Sequence, residues 1–148
     1  MNFKYIIKKL TKADLTDLEG FIKTLSNLSS VGNLDLKKAK KILLKINSQN
    51  GHIYIAKRDY GEVIGATSLL IEQKFIHEGG KVGHIEDVCI KKEYEGRGIG
   101  SALVKKAVEY AKKFGCYKVI LDCKDNLVPF YEKLNFYKHE NCMRLDLK

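Results

Sequence analysis

Residues 84–101 read HIEDVCIKKEYEGRGIGS, and the fold turns on how this stretch is read. Its second half carries glycine at every other position: Gly96, Gly98 and Gly100. Alternating glycines suit a tight strand-to-helix turn or a loop that lets a ligand approach the backbone, and the flanking residues decide between them. Upstream, HIEDVCI is apolar enough on both faces for a buried strand. Downstream, in SALVKKAVEYAKKFG, residues Ile99, Leu103, Ala107, Tyr110, Ala111 and Phe114 recur at helical spacing, with Ser101, Lys105, Glu109 and Lys112 opposite and Gly115 as the stop. A helix start carries unpaired N–H groups and the positive end of the helix dipole, and glycines clear the way to them. An anion site is therefore the better reading. A triphosphate loop is excluded because no GKS or GKT follows, and a dinucleotide fingerprint because the spacing is GxGxG rather than GxGxxG.

The rest of the chain arranges itself around this unit. NFKYIIKKL (2–10) reads as a first strand, followed by helical periodicity in ADLTDLEGFIKTLSNL and DLKKAKKILLKINS, with Asp35 as N-cap of the second helix. HIYIAKR and EVIGATSLLIEQKF flank the hairpin signal DYGE, and the second arm leads through IHEGGK into the HIEDVCI strand. After the glycine-loop helix come a strand in YKVILDC, a short helix around NLVPFYEKLN and a last strand in FYKHENCMRLDL. The expected fold class is α+β: a mixed, mostly antiparallel sheet flanked by helices, with one parallel pair around the central helix.

Length and composition fit one domain over residues 1–148, with 45% hydrophobic and 30% charged residues, a single proline and no low-complexity stretch. No run is long enough to span a bilayer, and the start MNFKYIIKKLTKADL has no signal-peptide core, so the expected location is cytoplasmic and no membrane partner is expected. Lys plus Arg number 27 against 18 acids, a net charge of +9 that favours anionic partners. The lysines are scattered, without a basic arm or an aromatic-studded basic strand, which argues against nucleic acid and leaves small phosphorylated ligands. Cys89, Cys116, Cys123 and Cys142 lack metal-ligand spacing and read as reduced structural thiols; no metal is expected.

The element order, with the glycine loop after the fourth strand, resembles the GNAT superfamily of acetyl-CoA-dependent N-acetyltransferases. Within it, KFIHEGGKVGHIEDVCI, YEGRGIGSALV, GCYKVILDC and FYEKLNF, with a weaker echo in LSSVG, are similar to the eukaryotic-type glucosamine 6-phosphate N-acetyltransferases. The resemblance implies transfer of acetyl from acetyl-CoA to the amino group of D-glucosamine 6-phosphate, feeding UDP-N-acetylglucosamine synthesis, by direct attack and in a homodimer that exchanges or shares its C-terminal strand. Two other readings stay open: a GNAT enzyme for another amine, such as a protein or aminoglycoside-like amino group, and a non-catalytic acyl-CoA- or RNA-binding regulator.

Candidate residues follow from the chemistry and the resemblance together. Glu86 and Asp87 are adjacent acids that a regular strand would point to opposite faces; either they form an acidic strand end facing solvent, or a bulge turns both toward a cleft and splays an N–H, that of Val88, toward a thioester oxygen, the reading favoured here. The resemblance implies coenzyme contacts at Val88, Cys89 and Ile90 and at the loop residues Gly96, Arg97, Gly98, Ile99, Gly100 and Ser101, although Glu95 stands where the superfamily usually begins the loop with Gln or Arg. A further coenzyme contact falls to Asn126, one place before Leu127, where the family's asparagine is usual. It implies that the Asp122 main-chain carbonyl orients the amine and that Tyr131 donates to the leaving sulfur; Asp122 as general base or as a turn cap are rival roles, and Phe130 is the packing residue beside Tyr131. It places Ser30, Lys74, Phe75, Ile76 and His77 around the sugar phosphate and Glu86 and Asp87 on the sugar hydroxyls. At the C-terminus, Asp146 stands where a basic residue is expected, and Arg144, two residues earlier on the same strand face, takes that role toward the neighbouring subunit's site.

Overall fold

The computed structural model describes residues 3–147; Met1, Asn2 (the expected start of the first strand) and Lys148 lie outside the described residues. Five strands form one sheet in the order β1-β2-β3-β4-β5: β1 Tyr5–Lys9, β2 Gly51–Arg58, β3 Val63–Gln73, β4 Lys81–Ile90 and β5 Cys116–Ile120. All neighbours are antiparallel except the β4–β5 pair, which is parallel. The α+β class is as the sequence predicts.

Period-two alternation lets the sheet feed two cores. On β2, Tyr54 and Ala56 face one side, where α4 (Ile99–Lys113) lays Ile99, Leu103, Val104, Ala107 and Ala111 against Ile64, Leu69 and Ile85. Ile53 and Ile55 face the other, packed with Val63, Ala66 and Cys89 beneath α1 (Leu18–Ser26) and α2 (Leu36–Ser48). Asp35 caps α2 by accepting from Lys38 N at 2.7 Å. The predicted first helix starts later than its periodicity, because Asp14–Asp17 winds as a tighter 3-10 turn; Asp17 then caps α1 through Gly20 N and accepts Val63 N of β3 at 3.1 Å. That one carboxylate fixes the helix to the sheet.

Three expectations are corrected. Residues 136–147, read as a last strand, form no strand among the described residues: Tyr137, Met143, Leu145 and Leu147 are exposed, and the sheet ends at β5. An alternating sequence becomes a strand only beside a partner, and a single chain offers this segment none. KFIH does not end β3 but lies beyond Gln73, at a one-turn element, α3 (Ile76–Gly79), whose His77, Glu78 and Gly79 are all left-handed, with φ of 54°, 56° and 76°. Of the four thiols read as structural, only Cys89 is buried, whereas Cys123 and Cys142 are exposed. Among the described residues no helix is long and apolar enough to cross a membrane.

Candidate active site

The site begins where the parallel pair comes apart. β4 and β5 are paired from Lys81 with Cys116 to His84 with Ile120, but β4 continues to Ile90 while β5 stops. The gap between residues 85–90 and 121–123 is a cleft with unpaired strand edges on both sides.

On the β4 side the expected bulge is present. Ser68 pairs with Glu86 and Ala66 with Cys89, so Asp87 and Val88 together face the single residue Thr67. Asp87 takes up the irregularity at φ 51°, and both Glu86 and Asp87 are exposed. The fully buried Thr67 donates to the Glu86 carbonyl at 3.2 Å and holds the kink from beneath. Partial enclosure pushes the Glu86 carboxyl up, and the Asp122 and Asp87 carboxylates push it further, with His84 working against them. Three acids thus converge on the cleft mouth. Cys142, on the C-terminal arm, also comes beside Asp122, and that carboxylate holds its thiol up.

At the upper end stands the glycine loop. Gly96 and Gly98 are left-handed, at φ 73° and 76°, and Gly98 is the N-cap of α4. A side chain added at either would meet open space, so the glycines serve backbone geometry and access rather than tight packing. Gly100 is different: a Cβ there would stand 3.4 Å from the Phe130 ring. Phe130 belongs to α5 (Val128–Glu132), which sits over the start of α4 and brings Tyr131 to the cleft. Tyr131 is 8% exposed, wedged edge-on between Phe130 at 4.9 Å and Phe136 at 5.9 Å. Burial holds its phenol up, and Cys123 nearby adds to this. Among the described residues its hydroxyl has no hydrogen-bond partner, and its oxygen is not fully enclosed, so it is free to bond whatever enters the cleft.

The remaining predicted residues are divided. Ser30 lies in the exposed loop after α1, near the upper end of β4, where Asn27 Nδ2 donates to the Ile90 carbonyl. The Lys74 backbone is tied to Gly80 by a bond of 2.8 Å, and the six residues from Gly80 to Glu86 place it about 20 Å from the acids. Its ammonium nevertheless reaches back to Glu72, whose other oxygen meets His84 Nε2 at 2.7 Å, and His84 stands two residues from Glu86 on the same face. Lys74 therefore connects to the acid cluster through Glu72 and His84, which the sequence reading did not single out. Only the i, i+2 spacing of His84 and Glu86 could have pointed there. His77 turns instead onto the Tyr117 ring of β5 at 4.3 Å, and Phe75 and Ile76 are exposed. Arg144 sits on the exposed arm, paired with Asp146. Asn126 lies in the 3-10 turn Asp125–Leu127 leading into α5. Among the described residues no group of three His, Cys, Asp or Glu could hold a metal.

The donor set fits a diphosphate-bearing acyl carrier: free N–H groups and open space at the head of α4, a slot between splayed strands, and an unengaged hydroxyl on its wall. Residues 22–136 match the acetyltransferase (GNAT) family. The chain is 51% identical over 87 residues to the glucosamine 6-phosphate N-acetyltransferase of Trypanosoma brucei brucei, covering 59% of each chain. It is 37% identical over 128 residues to the enzyme of that name from Candida albicans, covering 84% of this chain and 86% of that one. The crystal structure of glucosamine-6-phosphate N-acetyltransferase from Arabidopsis thaliana superposes with a TM-score of 0.92 at 30% identity, over 98% of this chain and 99% of the other.

Proposed function

The chain belongs to the GNAT acetyltransferase family, and from that premise we propose that it transfers acetyl from acetyl-CoA to the amino group of D-glucosamine 6-phosphate. The observation that carries the reading is the meeting, at one strand splay, of the glycine loop, the bulged acid pair and the Tyr131 hydroxyl. The names of relatives matched over most of their length give the sugar.

The chemistry supplied with the coenzyme is an activated acetyl thioester. The amides of residues 96–101, with Arg97 beside them, hold the diphosphate, Asn126 adds a polar contact, and the exposed backbone edge at Val88, Cys89 and Ile90 binds the pantetheine arm. The Val88 N–H, freed by the bulge, polarises the thioester oxygen. The Asp122 carbonyl orients the amine, and Glu86 and Asp87 take sugar hydroxyls. Excess negative charge from Glu86, Asp87 and Asp122 suits a cationic amino group, which relieves their repulsion. Once the ammonium has released a proton to solvent, the nitrogen lone pair attacks the thioester carbon. The C–N bond forms as the C–S bond breaks, the Tyr131 hydroxyl gives its proton to the departing sulfur, and the proton shed by nitrogen as the amide forms restores the phenol.

We assign the phosphate to Lys74, whose ammonium reaches back toward the acids through Glu72 and His84; Ser30, at the opposite end of β4, does not share that position. His77, Phe75 and Ile76 sit apart from the acids of their own chain, and we place them, with Arg144 of the C-terminal arm, against the site of a second copy. The open edge of β5 and the exposed 137–147 arm, with Met143, Leu145 and Leu147 among charged residues, would supply the surfaces for such a homodimer. Incubation with acetyl-CoA and glucosamine 6-phosphate, followed by mass spectrometry, tests the activity: a product heavier by one acetyl group and resistant to amine-reactive reagents is expected. Product absent at millimolar substrate would reject it.

A further inference from the structure

On the far side of the glycine loop from the cleft, a second cluster grips the loop's approach. Glu62, in the β2–β3 turn, receives Lys91 Nζ on one carboxylate oxygen and the hydroxyls of Tyr60 and Tyr94, each at 2.8 Å, on the other. Lys91 and Tyr94 bracket the tight turn that runs from the end of β4 straight into Glu95 and Gly96. Lys91 is 5% exposed, and its own N–H is fixed to the Ile64 carbonyl at 2.9 Å, so Glu62 is the counter-ion of a buried cation. The cluster then extends into the loop itself. The Tyr94 ring lies 5.5 Å from Phe3, and the Arg97 guanidinium sits over Phe3 at 4.8 Å and over Tyr94 at 5.9 Å. Arg58 backs the same rings, over Phe3 at 4.3 Å and Tyr60 at 5.0 Å.

We propose that Glu62 and Tyr94 are positioning residues for the coenzyme: they fix the loop's left-handed glycines and Arg97 in the geometry that receives the diphosphate. Neither touches the cleft, and both act through the loop. The physical reason is loop entropy. Gly96 and Gly98, left-handed on either side of Arg97, have open space where side chains would sit; Gly98 is backed by the buried Ile99 of α4, so the order of Gly96 and Arg97 comes from the segment that leads in. Glu62 ties that segment at two points three residues apart, and its carboxylate stays ionised: burial pushes it up, but Lys91 and the Tyr60 and Tyr94 hydroxyls outweigh this and hold it down.

The inference rests on the loop's binding the coenzyme. Its test is CoA affinity measured by titration calorimetry for the wild type, Tyr94→Phe, Glu62→Gln and, as a control, Tyr60→Phe, whose ring is 64% exposed and which leaves both tie points intact. Activity on a short acetyl thioester that lacks the diphosphate is measured beside it. Tyr94→Phe keeps the ring and removes the hydroxyl's bond to Glu62 and its 3.3 Å contact with the Tyr60 hydroxyl, the latter also removed in Tyr60→Phe; it should weaken CoA binding about tenfold, while kcat/KM for the short thioester stays within about twofold and Tyr60→Phe binds CoA like the wild type. Glu62→Gln should lose more, since it unties Lys91 as well, and if it fails to fold, Tyr94→Phe still decides. CoA binding unchanged in Tyr94→Phe, or equal losses on both thioesters, overturns the positioning role. A wild type that does not bind CoA overturns the proposed function instead.

Discussion

Tyr131 joins two demands that seldom meet in one residue, since its ring belongs to the main core and its hydroxyl to the cleft. Tyr131→Phe keeps the ring and its edge-on contacts, so stability and CoA affinity should hardly move, while turnover should fall by roughly two to four orders of magnitude if the hydroxyl serves the leaving sulfur. Glu86 and Asp14 give opposite pH signatures. Glu86 binds its proton more tightly folded than unfolded, so the stability it contributes is complete below its ordinary value of 4.5 and is lost as pH rises through the higher folded value. Glu86→Gln should therefore melt higher than the wild type at pH 8, with the gap closing below about pH 4.5, while binding of the sugar weakens. Asp14 is 2% exposed and clasped by Lys8 at 2.8 Å and Lys57 at 2.9 Å, with Thr11 adding two more bonds. Burial pushes its carboxyl up, but the two ammonium groups and Thr11 outweigh that and hold it far below the usual carboxylate range. Its stabilisation is present above its ordinary value of 3.8 and fades as pH falls toward the folded one. Asp14→Asn should cost about 2–3 kcal/mol at neutral pH, read as a lowered denaturation midpoint, with the difference from the wild type narrowing in acid.

At the level of elements, the glycine loop shows what a sequence can carry by itself. Alternating glycines between an apolar strand and an amphipathic helix needed no distant residue to be understood, and Gly96 and Gly98 are left-handed as that reading requires. Gly98→Ala should lose about 1 kcal/mol from the positive φ alone and weaken CoA binding by placing a methyl group in the space above α4, a loss visible by calorimetry even where the melting curve shifts little. The bulge was legible for a related reason, because two adjacent acids cannot both leave a regular strand on one face. What stayed hidden depended on pairing at a distance. Lys74 and Glu86 lie twelve places apart, yet the left-handed turn and an extended strand set their backbones about 20 Å from each other; Glu72 and His84 restore the connection through cross-strand neighbours that chain order does not reveal. The alternation in residues 136–147 was real, but alternation fixes a face and not a partner.

The whole molecule is asymmetric in how it treats its edges. β1 is a short edge strand, and its Lys8 is engaged by Asp14, whereas β5 ends the sheet beside a long arm whose Met143, Leu145 and Leu147 are more than 80% exposed. Such an edge and such an arm are unfavourable on a solitary chain, and the proposed homodimer would cover them. A chain ending at Lys138 should sediment as a monomer at micromolar concentration and bind glucosamine 6-phosphate more weakly, with acetyl-CoA binding retained; a full-length protein that is monomeric and fully active would remove the second copy from the site. The central claim is sharper than assembly, because it concerns which amine enters the acid-lined cleft. It is tested most directly by thiol release from acetyl-CoA with glucosamine 6-phosphate, glucosamine and a lysine peptide compared at equal enzyme concentration. Each charge-assisted phosphate contact contributes about 1.5–3 kcal/mol, so kcat/KM for the phosphorylated sugar should exceed that for glucosamine by roughly a hundredfold or more, with the peptide inert; equal values for the two sugars, or faster release with the peptide, would contradict it.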